Sequence, residues 1–311
     1  MIRFLIIPAI VLFGSLLAAG ELTLRPTDKG YDVFIDGKLF AGYVTDARGT
    51  PIVWPIFGPT SKKMTRDYPM IDRNDDTEAK DHPHQQSLWF THGEVNGSDF
   101  WALKQKIVHK RFAEAKSEGP TAILVTENDW IGKDDQVLCS DVRTLRFGET
   151  GGMRFIDFDV TVTAVQDRVV FGDTKEGSFA VRVPGTMEGD AKKRNPEWGG
   201  TIVNAEGLKD GNAWGKRSAW VDYTGPVEGE TLGIAILNHP SSFRYPTYWH
   251  VRTYGLFAAN PFGIHDFENK KEKVGEFVFS KGESFTFRYR LLFHRANADI
   301  AKAFENYAND E

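Results

Sequence analysis

Cysteine is almost missing from this chain: Cys139 is the only one in 311 residues. An internal disulfide and a cysteine-based zinc site are therefore excluded. No long basic run interrupts the sequence and the formal net charge is −5, which argues against nucleic acid as a partner. After the first twenty residues no stretch is apolar for long enough to cross a bilayer. Helical periodicity is scarce, no repeat is visible, and no proline- or serine-rich linker divides the chain. Residues 21–311 are thus expected to form one domain.

The N-terminus follows different rules. Arg3 is a short positive start, Phe4 to Leu17 is apolar, and Ala18-Ala19-Gly20 supplies small residues. This order reads as a signal peptide cut after Ala19 or Gly20, with an uncleaved anchor helix as the alternative. No cysteine follows the small residues, so a lipid anchor on cysteine is excluded. The expected destination is the periplasm or the medium, where a chain of this size can rely on its core without disulfides.

Aromatic residues are abundant: 23 Phe, 9 Tyr and 8 Trp. Rings favour strands and also stack on sugars. Tyr31 to Ile35 alternates, Asp36-Gly37 marks a two-residue hairpin turn, and Lys38 to Tyr43 continues. Thr121 to Thr126, Val142 to Phe147, Val169 to Asp173, Gly233 to Leu237, Glu276 to Phe279 and Ser284 to Phe293 read as further strands. In Arg154 to Val165, Asp157, Asp159 and Thr161 share one face and the apolar residues the other. Asn297 to Tyr307 alone reads as a helix, with Ile300, Ala303, Phe304 and Tyr307 on one stripe. Many short strands without alternating helices predict an all-β fold. The expectation is a large antiparallel β-sandwich, of the mutarotase-like supersandwich kind, with a short C-terminal helix.

Two segments stand apart. The first runs from Asp81 to Trp101 and holds three of the eight histidines, His82, His84 and His92, within eleven residues. Pro83 disfavours helix at His82. An extended chain there would send His82 and His84 to one side, where they could chelate a metal or share acid and base roles. Asn96-Gly97 is a turn dipeptide that would return Asp99 toward Glu94 and His92. Trp89 lies in the same segment. The second segment surrounds Tyr248, Trp249, His250 and Arg252. In a strand, Tyr248, His250 and Arg252 share a face that offers a phenol, an imidazole and a guanidinium. Such a set can bind a carboxylate or stabilise an oxyanion while one member moves a proton. Between the two, Trp214, Lys216 and Arg217 combine stacking with positive charge. Arg182, a charge inside an apolar strand, needs a partner, and Asp222 is the candidate. His109, His265 and His294 fall outside both segments and read as surface or packing residues.

Asp81-His82-Pro83-His84, Leu88 to Gly97 and Asp99-Phe100-Trp101 resemble a bacterial family of secreted proteins labelled "methane oxygenase PmoA-like". Trp214 to Arg217, Tyr245 to Arg252 and Asn260 to Gly263 match the same pattern. The resemblance runs over nearly the whole chain after the N-terminal segment. One departure is visible: Gln85, Gln86 and Ser87 stand where the family pattern has a second His and an Arg-Gly, so it implies no role for position 85. The resemblance implies carbohydrate processing. Methane oxidation by the particulate enzyme uses membrane-embedded metalloprotein subunits, so a methane monooxygenase is not expected here.

The leading expectation is an exported carbohydrate-active enzyme, a lyase or dehydratase or a glycoside-cleaving enzyme. His82, His84, His92, His250, Tyr248 and Arg252 would form its catalytic set. Trp89, Glu94, Asp99, Trp214, Lys216, Arg217 and Trp249 would bind the small-molecule or oligosaccharide ligand. In a metal-assisted version, His82 and His84 hold one divalent ion with His92 or Glu94. The alternatives are a non-catalytic carbohydrate-binding module and a structural sandwich with scattered histidines.

Overall fold

A computed structural model describes residues 20–310; the signal segment expected in residues 1–20 lies almost wholly outside them. Two eight-stranded sheets and one two-stranded ribbon carry the fold. Every strand pair is antiparallel, from Leu22–Thr27 at the start to Ser284–Arg295 at the end. The front sheet places Ile52–Ile56, Leu88–His92, Gly177–Arg182, Leu256–Asn260 and Tyr248–Val251 side by side in that order, the last at an edge.

Period-two patterning explains the layers. In Met153–Ala164 the side chains of Ile156, Phe158, Val160 and Val162 are buried. On the opposite face Asp157 takes Arg290 at 2.6 Å, Asp159 takes Arg146 at 2.9 Å, and Thr161 meets Thr286 at 2.8 Å. Arg290 and Thr286 stand directly across the ladder from Asp157 and Thr161, so the polar face is a row of cross-strand pairs. The core lies between the sheets, where Phe90, Phe179, Trp249 and Phe257 of the front sheet join Phe158, Ile236, Phe287 and Tyr289 of the back one. Each such side chain contributes roughly 1.5–3 kcal/mol by burial.

Asp36 and Gly37 form the hairpin turn at φ 48° and 73°, both in the left-handed region that a type I′ turn requires. The C-terminal helix is Ile300–Ala308, shorter than the periodicity suggests, because Asp299 caps it by accepting from the Lys302 amide at 2.9 Å. Ile300 and Tyr307 pack with Ala235, Leu237 and Leu292.

Arg182 does not meet Asp222. Its guanidinium donates to Gln85 Oε1 at 2.5 Å, to Glu188 Oε1 at 2.9 Å and to Asp81 Oδ1 at 3.1 Å. Asp222 instead faces His294 Nε2 at 3.0 Å, while His294 Nδ1–H donates to the Arg295 carbonyl at 2.9 Å. Burial opposes a charge on His294, but Asp222 outweighs it and holds the imidazole above its ordinary range. A raised folded-state value stabilises the fold fully below about pH 6.5, the unfolded value, and the gain disappears as pH rises through the raised one. Asp222→Asn is therefore expected to flatten the pH dependence of the urea midpoint on the alkaline side of that value. An unchanged slope would contradict the assignment.

Candidate functional site

On the outer face of the front sheet, Ile52, Trp89, Ala180, Ala258 and His250 are successive register partners in one row. Ile52, Trp89, Trp101, Ala180, Leu256 and Ala258 form a second apolar cluster there. Beside this cluster four segments converge on a cleft of about 710 Å³, contributed by residues 82–85, 93–102, 174–176 and 250–254. The size suits a small ligand or a few sugar units. It brings together His82, His84, His250, Arg252, Glu94 and Asp99, and adds Trp101, Lys175, Glu176 and Tyr254.

His82 and His84 meet, but by a turn and not by an extended run. His82 takes φ 44° and accepts from the Gln85 amide at 2.9 Å. Pro83 disfavours the right-handed helical conformation at His82, and buried Arg66 holds the left-handed one. Its guanidinium donates to the carbonyls of His82 and Gln85, both at 3.1 Å, and to Asp81 Oδ1 at 2.8 Å. Burial and the neighbouring Arg182 draw Arg66 down to about 10, so it stays charged at neutral pH. The two imidazoles stand edge to face with centroids 5.7 Å apart. His82 stacks on Tyr254 at 5.3 Å, and its Nδ1 lies 2.8 Å from Asp81 Oδ2. Burial pushes the Asp81 carboxyl up, but Arg182, His82 and Arg66 outweigh it and hold it below the usual range. His84 is lowered, first by burial and then by the charge of His82.

His250 faces the cleft from Tyr248–Val251 and is 3% exposed. Its Nδ1–H donates to the Lys175 carbonyl at 2.9 Å, which leaves Nε2 as the lone-pair nitrogen. Burial draws its pKa down to about 4, so the ring is neutral at pH 7. Arg252 follows two residues later on the same side, with its guanidinium carbon 5.6 Å from the Trp214 ring and 5.8 Å from that of Tyr254.

Several expected site residues lie elsewhere. His92 shares the inward face of its strand with Phe90. Its ring stacks on Phe171, Nε2 meets the Gly172 carbonyl at 2.8 Å and Nδ1 meets Ser178 at 3.2 Å. Burial takes it to about 4, and both nitrogens are occupied, so it joins neither the catalytic set nor a metal set with His82 and His84. Among the described residues no group of three or more His, Cys, Asp or Glu side chains is placed to hold a metal ion. Tyr248 keeps the predicted face, but Phe267 covers it at 5.4 Å and its hydroxyl donates to Glu268. Burial and Glu268 raise that phenol to about 12. Trp249 points into the core and donates to the Ser218 carbonyl at 3.0 Å. Trp89 is buried against Trp101, which reaches the cleft in its place. Arg217 is tied to the carbonyls of Pro246 and Arg244, and Lys216 is exposed and outside the cleft lining. Trp214 backs Arg252 without lining the cleft.

Asn96 and Gly97 turn at φ 47° and 70°, and this turn carries Glu94 and Asp99 to one rim as expected. Lys175 and Glu176, a pair at 2.9 Å, could not be read locally. They precede the strand Gly177–Arg182, and only its pairing with Leu88–His92 brings them near the histidines. Gln85 and Tyr254 also line the cleft without a local sequence signal: Gln85 receives the Arg182 guanidinium and Tyr254 lies under it at 5.1 Å.

The profile of one protein family, described as a family of unknown function, matches residues 30–308. The chain belongs to that family, DUF6807. No curated protein matches it. Among solved structures, an α-galactosidase from Lactobacillus brevis is similar at 9% identity and a TM-score of 0.44, covering 88% of this chain and 39% of its own. The GH36 α-galactosidase AgaB from Geobacillus stearothermophilus is similar at 10% identity and 0.44, covering 88% and 41%. A third likeness, to the polysaccharide lyase BACCELL_00875, has 13% identity and a TM-score of 0.35, covering 93% and 34%. The DUF6807 chain thus spans roughly two-fifths or less of the solved chains it matches. In the DUF6807 cleft, one neutral imidazole, one imidazole on a carboxylate and one guanidinium can together accept a proton, return a proton and hold negative charge.

Proposed function

We propose that this DUF6807 protein is an exported carbohydrate-active enzyme, periplasmic or secreted, whose cleft catalyses elimination from a sugar. The observation that carries this reading is His250, with Nδ1–H fixed on Lys175 and a neutral ring in the same cleft as the Asp81–His82 pair. A proton on the carbon next to a carboxylate or carbonyl moves to His250 Nε2. The electron pair left behind forms the new C=C bond, the bond to the leaving oxygen on the neighbouring carbon breaks, and that oxygen takes a proton from His82. Arg252 stabilises the charge that develops on the carboxylate or carbonyl oxygen. Trp101 and Tyr254 line the cleft wall beside the sugar.

The test is a screen of uronate-containing oligosaccharides and 3-keto-glycosides, read as absorbance of an unsaturated product. The elimination reading expects such a product, with turnover falling as pH drops toward about 4 and His250 gains its proton. Three carboxylates at the same cleft, Glu94, Asp99 and Glu176, favour glycoside cleavage as the second reading, because hydrolysis needs a carboxylate pair. Reducing ends without an unsaturated product would select it. Binding without turnover, weakened but not abolished by changing His82 or His250, would select the carbohydrate-binding module.

A further inference from the structure

We infer that the cleft selects a sugar bearing a carboxylate and that Arg252 is the residue that recognises it. This inference rests on the reading of the cleft as a sugar site. Three carboxylates line the cleft, and each has a lysine: Glu94 with Lys273 at 3.2 Å, Asp99 with Lys104 at 3.3 Å, and Glu176 with Lys175 at 2.9 Å. Asp81, beside them, is matched by Arg66 and Arg182. Against this balanced background Arg252 stands alone. Among the described residues no carboxylate lies within 4.0 Å of its guanidinium, and that group donates none of the side-chain hydrogen bonds there.

Its backbone is held, and its side chain lies beside two rings. The Arg252 amide donates to Leu256 at 2.7 Å and its carbonyl accepts from Gly255 at 2.9 Å, which sets the turn. The guanidinium is near the faces of Trp214 and Tyr254. Tyr254 is itself placed by His82 and by the buried Arg182. Stacking uses the face of a guanidinium and leaves its N–H fork open. Two flanking rings narrow the rotamers open to the side chain, which favours a planar, bidentate anion. A carboxylate fits that fork. It also acidifies the neighbouring C–H that the elimination step requires, which a sulfate ester or a neutral hydroxymethyl group does not.

The experiment titrates the whole protein by tryptophan fluorescence with oligosaccharide pairs that differ only at C6: α-1,4-digalacturonate against α-1,4-galactobiose, and cellobiuronate against cellobiose. Wild type is expected to prefer the uronate by about tenfold or more. In Arg252→Gln the preference should vanish, because affinity for the uronate falls about tenfold or more further than affinity for the neutral sugar. Arg252→Lys should restore only part of it, since an ammonium lacks the fork. Arg252 is exposed, so an unchanged thermal midpoint is expected in both variants. Equal or tighter binding of the neutral sugars to wild type would overturn the carboxylate inference and leave the sugar reading standing. A uronate preference that survives Arg252→Gln would overturn the role of Arg252. No binding of any of the four sugars would overturn the sugar reading, and this inference with it.

Discussion

His250→Gln is expected to lower the rate of product formation by about 10²- to 10⁴-fold, the usual contribution of a positioned general base, with little change in thermal stability. The expectation follows from how the ring is held. A glutamine amide can still donate to the Lys175 carbonyl, so the buried hydrogen bond is retained. It offers no nitrogen lone pair to the cleft, so the proton on the substrate carbon has no acceptor. The same geometry sets the pH profile. Burial keeps the imidazole neutral down to about pH 4, so the acid limb of the wild-type rate should lie well below the ordinary histidine range, and the residual rate of His250→Gln should lack that limb. A variant with wild-type turnover would remove His250 from the mechanism.

Arg66→Met is expected to be the most damaging change to stability near the cleft. Arg66 is fully buried and donates to four carbonyls, those of Tyr68, Ala79, His82 and Gln85, as well as to Asp81. Methionine fills part of the space and donates nothing, so several buried acceptors lose their partner. Asp81 is half-exposed and keeps Arg182 and His82, so the cost lies in the orphaned carbonyls, each about 1–3 kcal/mol and together about 3 kcal/mol or more. At about 2–4 °C per kcal/mol for a chain of this size, the thermal midpoint should fall by roughly 6 °C or more. Turnover should drop as well, at temperatures where the variant is still folded, because the His82–Gln85 turn hangs from this guanidinium. Arg66→Lys should not restore either property, since one ammonium cannot reach all of those acceptors. A thermal midpoint within a degree or two of wild type would show that the turn is held by something else.

The strands and the helix could be read from the chain because period two and period 3.6 are local signals. Arg154 to Val165 shows this well, since its polar face is a row of pairs with an adjacent strand. His92 shows where such reading stops. All five residues of Leu88–His92 are buried, so no alternation of polar and apolar types reveals which face is which. Parity with Phe90 then sends His92 inward. Tyr248 lies on its predicted face, but the short helix Ile264–Phe267, formed far from it in sequence, covers it. Lys175, Glu176 and the partners of Arg182 depend on which strands become neighbours, and no local spacing encodes that. The His82 and His84 rings converge as their spacing predicts, but on a turn held by two buried arginines and not on an extended strand.

The central claim is that one cleft holds a sugar between the His82–His84 turn and His250, with its carboxylate on Arg252. A crystal structure of His250→Gln soaked with a uronate trisaccharide tests it most directly. The account predicts sugar density in the 710 Å³ cleft, with a carboxylate forked on the Arg252 guanidinium and the ring carbon beside it facing position 250. Sugar bound at another surface, or bound here with its carboxylate turned away from Arg252, would contradict the account.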